Sequence, residues 1–231
     1  MEVGLSGYLF LVLAGLVVPW LALRTSARVA AGVPLPARRV VYLESTGVLA
    51  ALGAAALVAA ALNGIELFPP PRLAGRDALL VIGALGIGLG TLPGRWARRP
   101  EEQKRRLYSL VPRTRPETAL WLVVCLSAGV WEEIAYRGVM FALVVRLTGE
   151  FWVAAAVCAL AFAVAHSVQG HSTAAIIFFI AIVFHLLVRV TGSLYPAMAI
   201  HFLYDLAVGV WVGRAGLREL EESPWPAHQR I

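Results

Sequence analysis

The chain has 231 residues, 59% of them hydrophobic and 15% charged, with a formal net charge of +6. Soluble domains are about 45–50% apolar and about 25% charged, so too little polar material is present to cover a water-facing surface, and a large soluble domain is excluded. A nucleic-acid binder is argued against by where the charge lies. Eight of the 20 basic residues fall between Arg95 and Arg115, a cluster that anchors a membrane protein to the cytoplasmic side by the positive-inside rule and does not form a phosphate-binding groove.

A helical crossing needs about 20 apolar residues, and the apolar runs predict an all-α, polytopic transmembrane helical bundle of about seven spans. These are residues 4–23, 40–62, 78–92, 118–147, 151–167, 174–190 and 194–212. The first run lacks the positive start of a signal peptide, since Glu2 is the only charge before Arg24. A basic loop follows, with Arg24, Arg28, Arg38 and Arg39, broken by Pro34 and Pro36; Asn63-Gly64 and three prolines from Pro69 end the second span. The third is glycine-rich. Residues 93–116 form the longest polar stretch, whose centre, 101–110, reads either as an amphipathic surface helix or as a solvated basic loop. Beyond the last span, Arg214, Arg218 and Arg230 join the arginine-rich loops on one side, which predicts a multi-pass cell-membrane protein with an outside N-terminus and a cytoplasmic C-terminus. Cys125 and Cys158 sit in apolar runs and read as buried thiols. The chain divides by composition into N-terminal spans with a basic loop (1–117), a charge-bearing transmembrane core (118–213) and a polar tail (214–231).

An ionisable side chain within a span costs a few kcal/mol and asks for a partner or a water-filled cavity. Such residues concentrate late in the chain. Span four carries Glu132, Glu133 and Arg137, span five ends with Phe162 and His166 one turn apart, and span seven carries His201 and Asp205 at i and i+4. On a helix Glu133 and Arg137 can pair, while Glu132 points about 100° away. The pair suits an ion cluster that fixes packing; Glu132 suits a general acid or base. Three spans together bring a carboxylate, an imidazole, and a second imidazole with a carboxylate. Peptide hydrolysis needs a base-activated water and a donor for the developing oxyanion. Glu132 with His166 can supply the first and His201 the second. His185 and Arg189, late in span six, read as a structural histidine and an interfacial arginine. His171 and His228 have no nameable partner.

The ordered set Glu132-Glu133-x-x-x-Arg137, Phe162-x-x-x-His166 and His201-x-x-x-Asp205, with Gly138 after the arginine, resembles the CPBP family of intramembrane proteases. That family comprises the CAAX proteases and bacteriocin-processing enzymes, also called the Abi family. The resemblance spans about residues 118–212. It implies a helical bundle with an intramembrane active site open to water, in which Glu132 is the general base and His166 helps it hold the attacking water. His201 and Asp205 would then fill the oxyanion-stabilising position, with Glu133, Arg137 and Phe162 in support. One position departs from the pattern: prenyl-protein-processing members usually carry Asn where this chain has Asp205. An ionised carboxylate there would repel an oxyanion, so Asp205 is expected to orient or charge His201, or to be protonated.

Glu132, His166 and His201 would also make a two-histidine, one-carboxylate zinc set, yet the chain has no His-Glu-x-x-His pair, and catalysis without a cofactor is expected, zinc being disfavoured. The expected partners are membrane lipid and a membrane-associated or lipidated peptide or protein. Two other classes compete: a proton-linked transporter using Glu132, Glu133, His166 and Asp205 as a relay, and a catalytically silent scaffold or immunity protein. CAAX cleavage requires a prenylated cysteine, and the substrate's identity is not written in these residues.

Overall fold

Residues 2–72 and 75–222 are described by a computed structural model, and they form helices and connecting turns without a strand. In chain order the helices are α1 (Leu5–Ala30), α2 (Arg38–Leu62), α3 (Gly75–Gly90), α4 (Leu92–Ala97), α5 (Glu101–Leu110), α6 (Arg115–Thr148), α7 (Phe151–Ala165), α8 (His171–Thr191) and α9 (Tyr195–Glu222). His228 and Arg230 lie outside the described residues.

Among the described residues, five helices are long and apolar enough to cross a membrane: α1, α2, α6, α8 and α9. The other two expected spans correspond to α3 and α7, of 16 and 15 residues. At 1.5 Å per residue such helices reach only about 22–24 Å, against a hydrocarbon core of about 30 Å. Side chains such as Leu5, Leu16, Val58, Leu160 and Phe179 face outward, as the walls of a bundle in lipid should. The main core is built of small and aliphatic groups from α1, α2, α6 and α7, among them Ala14, Ala56, Ala135, Leu143 and Ala159. Cys125 and Cys158 are free and buried, as their apolar surroundings suggested.

The helix ends are set by local chemistry. Thr114 and Glu117 form a reciprocal capping box at the start of α6, with Pro116 in its first turn. Glu117 also pairs with Arg38 at 3.1 Å, which fixes the start of α2 to the start of α6. At the other end of α2, Asn63 accepts from the Gly4 backbone N–H at 2.9 Å and donates to Ser6 Oγ at 3.0 Å. Its carbonyl accepts from Arg146 at 2.7 Å, so one asparagine joins α1, α2 and α6. Gly149 and Gly192 take φ of +74° and +65°, the left-handed geometry that reverses the chain tightly after α6 and α8.

The polar stretch 93–116 holds two short helices, α4 and α5, so its centre is helical and not a solvated loop. Lys104, Tyr108 and Ser109 of α5 are buried, because this helix lies against α9. There Tyr108 packs with Trp96, Val111 and Val212. The approach is close: a Cβ on Gly216 would sit 2.3 Å from the Tyr108 ring. Burial opposes the Lys104 charge, but hydrogen bonds to Glu219 and Glu101 outweigh it and hold the ammonium above the ordinary lysine range. α9 itself continues through part of the stretch read as tail, to Glu222.

Candidate active site

Residues Ala128–Met140, in the middle of α6, are wound as a π-helix, a rare form that is frequent at functional sites, although a shorter π-helical stretch also occurs at Leu13–Val17 of α1. Both glutamates and Arg137 lie in this segment. Glu133 is fully buried and Arg137 nearly so. The Arg137 Nη1 to Glu133 Oε1 distance is 3.1 Å, an ion pair without hydrogen-bond alignment. Arg137 also lies over the Phe162 ring, 4.2 Å from its centroid, and 5.3 Å from that of Phe184.

α9 delivers His201 into this charge cluster. Its Nδ1 is 2.7 Å from Glu133 Oε1, and because a carboxylate only accepts, Nδ1 carries the proton and donates it. Nε2 then lies between two further carboxylates, 3.6 Å from Glu132 Oε2 and 3.4 Å from Asp205 Oδ2. Gly129 makes this approach sterically feasible. A Cβ there would stand 3.0 Å from Met198 O and from Phe202 N, so glycine lets the π-helical segment touch the α9 backbone beside His201.

His166 caps the C-terminus of α7, where the chain leaves the helix for a 3-10 turn at Ser167–Gln169. Its ring is 4.4 Å from that of Phe162, and its Nδ1–H donates to the Phe162 carbonyl at 2.7 Å. The Nε2 lone pair is thereby left as the chemically available end. Glu132 is within electrostatic reach of this imidazole.

A cavity of about 180 Å³ brings the pieces together: Arg137, Phe162, His166, His201 and Asp205 all line it. Glu132 does not line it and meets it through His201. The Oε2 atoms of Glu132 and Glu133 are buried without a protein hydrogen-bond partner. All seven residues singled out in the sequence therefore belong to one region. His185 does not join them; it is buried beside Phe141, with ring centroids 5.0 Å apart. Arg189 covers the Phe151 ring at 4.4 Å, and His171 is exposed at the start of α8.

Several residues that line the cavity had no distinguishing mark in the sequence. Arg95 and Arg99, which read as anchoring charges, line the cavity, as do Phe184 and Tyr204. Tyr204 lies between His201 and Asp205 on α9, and its hydroxyl accepts from Arg95 at 3.4 Å; that adjacency is the one cue that was available. Among the described residues, no three His, Cys, Asp or Glu side chains are grouped closely enough to hold a metal ion.

Residues 114–207 match the family described as Type II CAAX prenyl endopeptidase Rce1-like. No curated protein and no solved structure matches the chain. The matched stretch starts at the Thr114 cap of α6 and ends just after Asp205, so it contains all seven residues and leaves α1 to α5 outside.

Proposed function

We propose, from the match of residues 114–207 to the family described as Type II CAAX prenyl endopeptidase Rce1-like, that the chain is an intramembrane endopeptidase. It hydrolyses a peptide bond of a membrane-associated or lipidated peptide or protein. The observation that carries this reading is the meeting of Glu132, His201 and Asp205 from two helices beside a cavity that His166 also lines.

Glu132 is the general base. Its unpartnered Oε2 takes a proton from a water that also hydrogen-bonds His166 Nε2, and the hydroxide formed attacks the peptide carbonyl. His201 answers the negative charge that develops on the carbonyl oxygen. Glu133 occupies its Nδ1–H, so the ring offers a second N–H, at Nε2, only as an imidazolium. Asp205 flanks that nitrogen and supplies countercharge throughout, whereas Glu132, on its other side, shares that role only until it takes the proton of the water. Asp205 thus acts on His201 and not as an oxyanion ligand, which accounts for an acid at this position. Arg137 balances Glu133 and fixes its carboxylate. Collapse of the tetrahedral intermediate breaks the C–N bond, and Glu132 returns its proton to the leaving amine.

A general base contributes about 10²–10⁴ in rate and an oxyanion donor about 10²–10³. The direct test compares the peptides of membranes containing the active protein with those of membranes containing Glu132→Ala. A fragment present only with the active protein supports the proposal and names the substrate. Identical peptide sets, together with pH-dependent uptake into proteoliposomes, would instead make the buried acids a proton relay.

A further inference from the structure

The two imidazoles at the cavity come from elements that share little direct packing: His166 from the end of α7, His201 from α9. Helix α5 bridges them. On one side, α5 and its neighbour α4 are fastened to α9. Trp96 Nε1 donates to Glu219 Oε1 at 2.8 Å, Lys104 Nζ donates to the same oxygen at 3.0 Å, and Tyr108 packs on Val212. On the other side, three polar side chains grip the segment that follows His166. Arg106 donates through Nε to the Val168 carbonyl, Gln103 Oε1 accepts from Ser172 Oγ at 2.6 Å, and Arg99 donates to Thr173 Oγ1 at 2.9 Å.

Arg106 is the centre of this grip. Its Nη2 also donates to Ser26 Oγ at 2.8 Å, and Ser26 in turn donates to the Ser167 carbonyl at 3.1 Å. Two consecutive carbonyls of the turn, at Ser167 and Val168, are therefore held by side chains from α1 and α5. The turn is one residue from the imidazole, and its first bond runs from the Gln169 N–H to the His166 carbonyl at 2.9 Å. A free 3-10 turn at a helix end is among the more easily rearranged pieces of backbone. The guanidinium, with several donors in one plane, fixes it in one orientation. None of Ser26, Gln103 and Arg106 falls in the family-matched residues 114–207.

We propose that Arg106 is a positioning residue. Through the turn at Ser167–Gln169 it aims His166 into the cavity, and α5 acts as a brace that keeps His166 in register with His201 on α9. The proposal rests on the peptidase reading for its catalytic consequence, but the brace itself is testable without a substrate.

The experiment uses the full chain in lipid nanodiscs, with diethyl pyrocarbonate as the probe of imidazole accessibility and mass spectrometry to read each histidine. Arg106→Ala should raise the acylation rate of His166 several-fold and leave that of exposed His171 unchanged. Added guanidinium ion should restore the His166 rate, and Arg106→Lys should fall between. Ser26→Ala, a one-atom deletion that keeps the packing, should move His166 in the same direction by less. On the peptide found with the active protein, Arg106→Ala should lower kcat about tenfold with KM within about twofold, whereas Leu107→Ala on the cavity wall should shift KM. Unchanged His166 reactivity in both Arg106→Ala and Ser26→Ala would overturn the proposal. So would equal acceleration at His166 and His171, the sign of general loosening. If His166 reactivity changes but Glu132→Ala leaves the membrane peptides unaltered, the peptidase reading fails and the brace stands.

Discussion

Gly129→Ala is the sharpest test of the site's architecture. The added Cβ would lie 3.0 Å from Met198 O, 3.0 Å from Phe202 N and 3.1 Å from Phe202 Cβ. Two of these are backbone atoms and cannot rotate away. To reach ordinary contact, α6 and α9 must part by about 0.4–0.5 Å, and such overpacking costs about 1–3 kcal/mol. The separation acts directly on the His201 Nδ1 to Glu133 Oε1 bond, now 2.7 Å, stretching it to about 3.2 Å, the outer edge of hydrogen-bond length. A displacement of 1 Å at a catalytic centre costs about 10²-fold, so about half of it predicts roughly a tenfold loss in kcat with little change in KM. The assay is turnover of the fragment-yielding peptide by purified protein, alongside thermal unfolding in detergent. Gly47→Ala is the control, since a Cβ there meets nothing within 4 Å and alanine favours a helix by about 1 kcal/mol. Wild-type turnover by folded Gly129→Ala would refute the claim that the close helix contact sets the geometry of His201.

Other outcomes follow from the same contacts. Arg137→Met leaves Glu133 buried without its countercharge and should lose about 3–5 kcal/mol, while Glu133→Gln with Arg137→Met should regain most of it; equal losses in thermal unfolding would contradict a coupled pair. Asn63→Ala removes the acceptor for the Gly4 N–H and the donor to Ser6. It should cost about 1–3 kcal/mol, visible as faster hydrogen exchange at the start of α1 but not in α8. Activity should survive chelation in protein shown by elemental measurement to be metal-free, and loss of activity reversed by added zinc would refute the metal-free mechanism.

Much of this protein was legible along the chain because the relevant physics is local or compositional. A shortage of charge specifies lipid as the solvent whatever the helices do. Apolar run length yields a helical bundle, and the i,i+4 spacings of Glu133 with Arg137 and of His201 with Asp205 place those partners on one helix face. Both pairs are within ion-pair distance. The few charges within spans come together in one region for the same reason: each must be satisfied where water is scarce. Run length alone did not separate five helices of spanning length from the shorter α3 and α7: the runs 151–167 and 174–190 are equally long, but polar residues such as His171, Ser172 and Thr173 lengthen α8 beyond its apolar run, whereas α7 ends before His166.

Only the tertiary structure decided which partner each charge takes. His201 bonds to Glu133, 68 residues away, because Gly129 lets α9 approach a stretch of α6 that winds as a π-helix. No periodicity announced that winding. α5, with a polar sequence suited to a surface, turns Lys104 and Tyr108 inward because α9 offers Glu219 and an apolar face. Arg95 and Arg99, counted in the sequence as topological charge, come to line the cavity for the same reason. A residue's own chemistry is fixed by its type, but its role at a site depends on which distant backbone comes close enough to use it.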